Sequence, residues 1–269
     1  MREISELKEL KDIELSIMKK IHKFCILNKI QYYLSHGSLI GAIRHRGFIQ
    51  WDDDIDIYMP RPDYERFCYL FPQFQTELGL ELVNHETPRF FCRPMSKVVD
   101  NRTLLIETYY HGDDNIGVFV DIWPLDGISD DLTEVNNQIR KVSFLFKWLY
   151  LKISVRNGVI PQIKLFLNIL LSPYMYFKSN REIVSQIVEE MKKNDYDKSK
   201  QVMCLCDPYF KILKREWFGT GTTAKFENTE FVIPNDYDSI LKCIYGDYMK
   251  YPPIEKRVPH HISNIWWID

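Results

Sequence analysis

Acidic residues are missing from one long stretch of this 269-residue chain. Between Val135 and Arg181 there is no Asp or Glu against eight Lys or Arg, so a chain of net charge −2 carries −10 on its remainder. Long apolar runs are missing too. No segment reaches the ~18 consecutive apolar residues that a membrane span needs. The opening MREISELKELKDIELS is charged from position 2 and has no apolar h-region, so it does not read as a secretory signal. Cysteine is sparse and scattered, at Cys25, Cys68, Cys92, Cys204, Cys206 and Cys243. Only MCLCD brings two together, without the second pair that a zinc site requires. Reduced thiols in a cytoplasmic chain are the expectation. Repeats and low-complexity linkers are also absent. What remains, 45% hydrophobic and 27% charged residues, is the composition of a soluble globular protein with one large domain or two modest ones.

Apolar residues at three- and four-residue intervals (Ile4, Leu7, Leu10, Ile13, Ile17, Ile21) predict an amphipathic helix over 3–28. IQYYLSH reads as a strand ending at Gly37, SLIGAIRHR as a short helix, and IQWDDDIDIYM as a second strand closed by Pro60 and Pro62. RPDYERFCYLFPQF reads as a helix. LELVNH, FFCRPMSKVVD and TLLIETYY are further strands, and IGVFVDIWPLDGI is a strand running into a proline turn. Residues 133–193 are helical in pattern, and FVIPNDYDSILKCIYGDYM holds one more short helix. The simplest organisation is an α+β catalytic domain, 1–132 with 194–269, carrying a helical insertion at 133–193.

WDDDID packs four aspartates, Asp52, Asp53, Asp54 and Asp56, into five positions. Carboxylates that close repel, and burying them is costly without a positive partner. In an extended chain, Asp52, Asp54, Asp56 and Tyr58 share one face, with Trp51, Asp53, Ile55 and Ile57 on the other. The isoleucines would anchor the strand while three carboxylates point into a cleft. Oxygen ligands at that spacing suit hard cations, Mg²⁺ or Mn²⁺. Upstream, Gly37 and Ser38 form a turn at a helix start, where backbone N–H groups and a small hydroxyl can meet a phosphate. A calcium loop fails: Ile57 stands where its glycine must be, Asp63 where its glutamate should be, and Pro60 interrupts it.

Three stretches in order, HGSLIGAIRHRGFIQWDDDIDI, VFVDIWPLDGI and YGDYMKYPPIEKRVPHH, resemble the LicD family of phosphotransferases, within the nucleotidyltransferase (DNA polymerase β-like) superfamily. The resemblance implies a nucleotidyltransferase-like mixed sheet flanked by helices. It implies transfer of phosphocholine from CDP-choline to a sugar hydroxyl of a bacterial surface glycan (teichoic acid, lipopolysaccharide or capsule precursor), with release of CMP. A CDP-ribitol or CDP-glycerol donor, or a nucleotidyltransferase using an NTP, are the alternatives. Asp52, Asp54, Asp56 and a further carboxylate from a later strand, Asp121, would hold metal, with Asp54, Asp56 and Asp121 catalytic and Asp121 able to take the acceptor proton. Lys97 falls on a family-like lysine position and would bind donor phosphate with Gly37 and Ser38. Arg44, His45, Arg93, Arg257 and His260 are possible substrate contacts. A choline head group would favour aromatic faces such as Trp51, Tyr58 or Trp123. No nucleic-acid partner is implied.

The acid-free segment 135–181 joins its cations to Phe144, Phe146, Trp148, Tyr150, Phe166, Tyr174, Tyr176 and Phe177. Such a segment is attracted to an anionic membrane surface, at the inner face of the cytoplasmic membrane, and suits an enzyme acting on lipid-linked glycan acceptors. It suits equally a helical hairpin packed on the catalytic domain.

Overall fold

The computed structural model describes residues 1–106, 116–156, 173–207, 211–259 and 264–268. A two-residue strand β1 (Arg2–Glu3) precedes helix α1 (Leu7–Asn28). The buried side chains of α1, Leu10, Ile13, Ile17, Met18, Ile21, Phe24 and Cys25, recur at helical spacing and form its core-facing stripe. Lys29 ends the helix in a left-handed conformation, its N–H meeting the carbonyls of Cys25 and Ile26. Then come β2 (Tyr33–Leu34), α2 (His36–Ile40), a π-helical turn (Gly41–His45), β3 (Asp56–Pro60), α3 (Arg61–Leu70), α4 (Gln75–Leu78), β4 (Glu81–Val83), β5 (Ser96–Ile106) and β6 (Ile116–Ile128). Helices α5 (Leu132–Arg156), α6 (Pro173–Phe177) and α7 (Asn180–Met191) follow. The chain finishes with β7 (Gln201–Met203), β8 (Leu213–Lys214), the hairpin β9 (Thr222–Phe226) and β10 (Thr229–Ile233), α8 (Tyr237–Tyr245) and β11 (Asn264–Trp267).

One sheet runs β1-β11-β5-β6-β3-β2, with β4 added to β5, and β7 and β8 added to β6. Of these pairings β3–β6 is parallel and the others are antiparallel, so the fold is α+β with a mixed sheet flanked by helices. Strand β6 is buried along nearly its whole length and is the spine of the core. Buried Arg61 at the start of α3 forms two hydrogen bonds to Asp126 of β6, Nε–Oδ1 2.6 Å and Nη2–Oδ2 2.9 Å, locking helix to sheet.

Three strand expectations change. The segments read as two strands, FFCRPMSKVVD and TLLIETYY, contribute to the single strand β5, irregular between Asp100 and Leu105. There Arg102 folds back onto Asp100, and Thr103 Oγ1 donates to the Asp100 carbonyl while accepting from the Val118 N–H. Pro124 does not end β6. It lies between the last β5 partner, at Ile122, and the first β7 partner, at Asp126, so neither neighbour loses a hydrogen bond to its missing N–H. The strand expected over 49–59 starts only at Asp56.

Helices α5 and α7 pack together through Val135, Val142, Trp148, Leu149, Ile183, Ile187 and Met191, and the cluster continues into Ile128, Met203 and Leu205. Ser179 and Glu182 close a reciprocal capping box at the start of α7. Residues 157–172 of the acid-free segment, Phe166 among them, lie outside the described residues. Among the described residues, no helix is long and apolar enough to cross a membrane.

Candidate active site

Three adjacent strands set a charged row. The parallel register of β3 and β6 pairs Asp56 with Asp121, and the antiparallel register of β5 and β6 pairs Asp121 with Lys97. Lys97 Nζ lies 2.9 Å from Asp121 Oδ1 and stands over the Phe119 ring at 3.1 Å from its centroid. Asp56, Lys97 and Asp121 are 6%, 5% and 8% exposed, so the three charges interact in a poorly screened setting. Trp123 Nε1 donates to Asp56 Oδ1 (2.7 Å). Ser38 Oγ accepts the Asp56 backbone N–H (2.9 Å), so the hydroxyl expected to meet phosphate is also the one that fixes the strand start.

Upstream of Asp56 the chain lies outside the strand, and face alternation fails. Asp53, expected opposite Asp52 and Asp54, joins them: ligand oxygens of all three lie within 4.8 Å of one another. Gly37 makes this possible, because a Cβ there would come within 2.3 Å of Asp52 Oδ2. Burial first, then the negative charges of Asp54 and Asp53, push the Asp52 carboxyl up to about 8, against the opposing pull of Lys11 and Arg44. Burial, Asp54 and Asp121 likewise push Asp56 well above the usual carboxylate range. A cluster made only of carboxylate oxygens, with Asp52 and Asp56 resisting ionisation through burial and mutual repulsion, has the chemistry of a hard-cation site, and its donor set would fit Mg²⁺ or Mn²⁺.

His36 was part of the quoted motif but not a candidate by itself. It adopts a left-handed backbone (φ 45), a conformation in which His is more frequent than most residues. That geometry turns β2 into α2 and directs the ring between two acids: Nε2 is 3.2 Å from Asp207 Oδ2, and Nδ1 is 3.8 Å from Asp56 Oδ2. The Tyr58 hydroxyl meets His36 Nε2 at 3.0 Å. Tyr58 and Trp123 are therefore committed to His36 and Asp56. Asp207 could not have been found from sequence, since MCLCD gives no sign that the fold returns it to His36.

The remaining basic candidates divide into two places. Arg44, His45 and Arg257 gather around Trp51 and Tyr251. Arg44 lies 4.6 Å over the Tyr251 ring and donates to the Tyr248 carbonyl (2.6 Å). Arg257 lies 5.2 Å from the Tyr251 ring and 5.5 Å from that of Trp51. The His45 ring meets both aromatics edge-on, at 6.3 and 5.5 Å. Burial, then the Arg44 charge, hold His45 below its ordinary value. Arg93 instead turns to α5, stacking on Tyr150 and donating to its hydroxyl. His260 lies outside the described residues. A cavity of about 950 Å³ opens at the other end of β3, lined by Tyr33, Pro60, Tyr196 and Lys214 and by none of these acids.

Residues 29–152 match the LicD/FKTN/FKRP nucleotidyltransferase-domain family. Over 275 aligned residues, 97% of each chain, the sequence is 30% identical to the lipopolysaccharide cholinephosphotransferase LicD of Haemophilus influenzae. The chain belongs to the LicD family. It is accordingly an enzyme of the phosphotransferase class. Shorter matches link it to uncharacterized proteins of Rickettsia typhi (39% over 83 residues, 31% of this chain and 26% of that one) and Rickettsia prowazekii (36% over 77 residues, 29% and 28%). The LicD-family region contains the whole row of Asp56, Asp121 and Lys97, whereas Asp207, Tyr251 and Arg257 reach the site from beyond it.

Proposed function

We propose that this LicD-family enzyme transfers phosphocholine from CDP-choline to a sugar hydroxyl of a lipopolysaccharide or related surface-glycan precursor, releasing CMP. The observation that carries the reading is the row Asp56–Asp121–Lys97 beside the Asp52–Asp54 cluster, in a chain aligned end to end with a lipopolysaccharide cholinephosphotransferase. The Gly-Ser turn, the acidic strand start and the third carboxylate on the neighbouring strand support membership of the nucleotidyltransferase superfamily.

The acceptor oxygen bonds to the phosphorus that carries choline, the bond from that phosphorus to CMP breaks, and CMP leaves with the electron pair. Asp52, Asp54, Asp56 and Asp121 would hold the divalent cation. When bound, Mg²⁺ or Mn²⁺ would neutralise the diphosphate and stabilise charge on the departing CMP. Asp121 takes the proton of the attacking hydroxyl, and Lys97 balances its charge. Gly37 leaves the space that Asp52 fills, and Ser38 holds Asp56 in register. Arg44 and Arg257 offer guanidinium groups to the donor phosphates, with the half-buried Trp51 and the exposed Tyr251 as faces for the quaternary ammonium or the base.

A lipid-linked acceptor fits the helical segment. Phe177 and Tyr174 are 82% and 69% exposed on α6, beside Lys178, as a peripheral contact with an anionic leaflet requires. Lys152 contributes less, since its amine is spent on the carbonyls of Tyr176 and Lys178. Phe177→Ser with Lys178→Gln is expected to reduce co-sedimentation with anionic liposomes, and unchanged co-sedimentation removes the membrane contact. The reaction itself is tested by chromatography of nucleotide products with a glycan acceptor extract. Metal-dependent CMP from CDP-choline is expected. Pyrophosphate from CTP, with CDP-choline untouched, would make the enzyme a nucleotidyltransferase.

A further inference from the structure

Three aromatic rings gather where the chain enters the acidic cluster. Trp51 immediately precedes Asp52, and its ring lies 6.0 Å from that of Tyr251, inclined at 56°. His45 closes the set edge-on, at 88° to Trp51 and 76° to Tyr251. Tyr251 is 44% exposed and Trp51 is half-buried, so the pair is open to a ligand.

These rings already hold cations. Arg257 Cζ lies 5.5 Å from the Trp51 centroid and 5.2 Å from that of Tyr251, within cation–π reach of both. Arg44 Cζ lies 4.6 Å from the Tyr251 centroid. The two guanidinium groups differ in how they are held. Arg44 is fixed by hydrogen bonds to the Tyr248 carbonyl (2.6 Å) and to His45 Nε2 (2.9 Å). Arg257 donates only from Nε, to the Pro252 carbonyl (2.8 Å), and forms no ion pair among the described residues. Of the two, Arg257 is the one that can leave its place at little cost.

We propose that Trp51 and Tyr251 form the head-group site for choline, that Arg257 occupies it in the free chain as a cationic stand-in, and that the quaternary ammonium displaces Arg257. The proposal rests on the CDP-choline reading above and assigns the residues that tell choline from an uncharged alcohol. A quaternary ammonium has no N–H to donate, so aromatic faces are what recognise it. Exchange also keeps the charge balanced. A third cation added beside two guanidinium groups would be repelled, whereas one that replaces Arg257 leaves the charge at the rings unchanged. The displaced guanidinium, with its forked donors, turns to the diphosphate of the same donor. Arg257 thus couples recognition of the head group to binding of the phosphates.

The test compares CDP-choline with its uncharged isostere, the CDP ester of 3,3-dimethylbutanol, by calorimetric titration of the purified full chain in Mg²⁺. Wild type is expected to prefer CDP-choline by about tenfold, the scale of a cation–π contact. Tyr251→Ala should erase that preference and Tyr251→Phe should keep it, because the ring carries the effect. Arg257→Ala gives a signature that a merely structural role would not: two affinities move in opposite directions. Choline chloride alone, followed by tryptophan fluorescence, should bind more tightly than to wild type, while CDP-choline binds more weakly. An equal loss of both esters in Tyr251→Ala would place the cytidine base on the rings and overturn the choline site, leaving the transferase reading intact. Choline affinity unchanged in Arg257→Ala would overturn the exchange. Wild type that binds neither ester but binds CTP would overturn the donor reading itself.

Discussion

Asp56 and Asp121 are register partners on adjacent parallel strands, so two carboxylates stand side by side on one face of the sheet. Lys97 neutralises Asp121 from the opposite side, while Asp52, Asp54 and Asp56 crowd together beside it. Asp54→Ala, Asp56→Asn and Asp121→Asn should therefore each lower kcat/KM by on the order of 10³-fold, the scale for removing a charge-stabilising group from a preorganised site. Without metal, Asp54→Ala and Asp56→Asn should melt no lower than wild type, whereas Asp121→Asn leaves the Lys97 charge buried without its partner and should melt lower. Full transfer by any of them would remove that residue from the catalytic set.

Asp52 gives the site a pH signature. Its carboxyl titrates at about 8 in the folded chain against 3.8 ordinarily. Between those values the native state keeps a proton that the unfolded chain has released, so this group lowers stability as pH rises through the window and adds nothing further above it. The Tm of metal-free wild type should thus fall relative to Asp52→Asn between about pH 4 and pH 8. Cation binding must displace the same proton, so Mn²⁺ affinity should climb with pH up to about 8. A pH-independent Tm difference would contradict the raised carboxyl.

Gly37→Ala tests the close approach that admits Asp52. A Cβ 2.3 Å from Asp52 Oδ2 cannot be tolerated, and the carboxylate is the element able to move. Transfer activity and Mn²⁺ affinity should both drop at least tenfold, the lower end for a displaced metal-site group, while Tm changes by only a few degrees. Unchanged Mn²⁺ affinity would show that Asp52 is not a ligand.

Stability, as distinct from activity, should depend on Arg61 and Asp126. Asp126 is fully buried and bidentate to the guanidinium. Asp126→Ala leaves that charge buried and alone, which should cost about 3–5 kcal/mol in urea unfolding. A loss below 1 kcal/mol would mean that water reaches Arg61.

Local spacing made much of this legible. Helix α1, the Gly-Ser turn, the acidic strand start and α3 all follow from residues within a few positions of one another. Lys97 and Asp121 were separately identifiable, but their 2.9 Å contact depends on the register of β5 against β6, which spacing within either strand does not encode. Asp53 was misassigned because the chain leaves the sheet before Asp56, so strand alternation did not apply to it. Pro124 suggested a turn because a proline usually breaks a ladder, and only the change of neighbour from β5 to β7 permits it here. His36, Asp207 and Tyr251 were hidden for the same reason as each other: partners far apart in sequence meet only after folding.

Thermal unfolding against a ligand panel tests the central claim most directly, because it needs no acceptor. Wild type and Asp56→Asn would be melted with Mg²⁺ or EDTA in the presence of CDP-choline, CDP-ribitol, CDP-glycerol, CTP or ATP. A ligand at a hundred times its dissociation constant stabilises by about 2.7 kcal/mol, an easily read rise in Tm. The account predicts a Mg²⁺-dependent rise with CDP-choline that Asp56→Asn abolishes. A rise with CTP or ATP and none with any CDP-alcohol would contradict it.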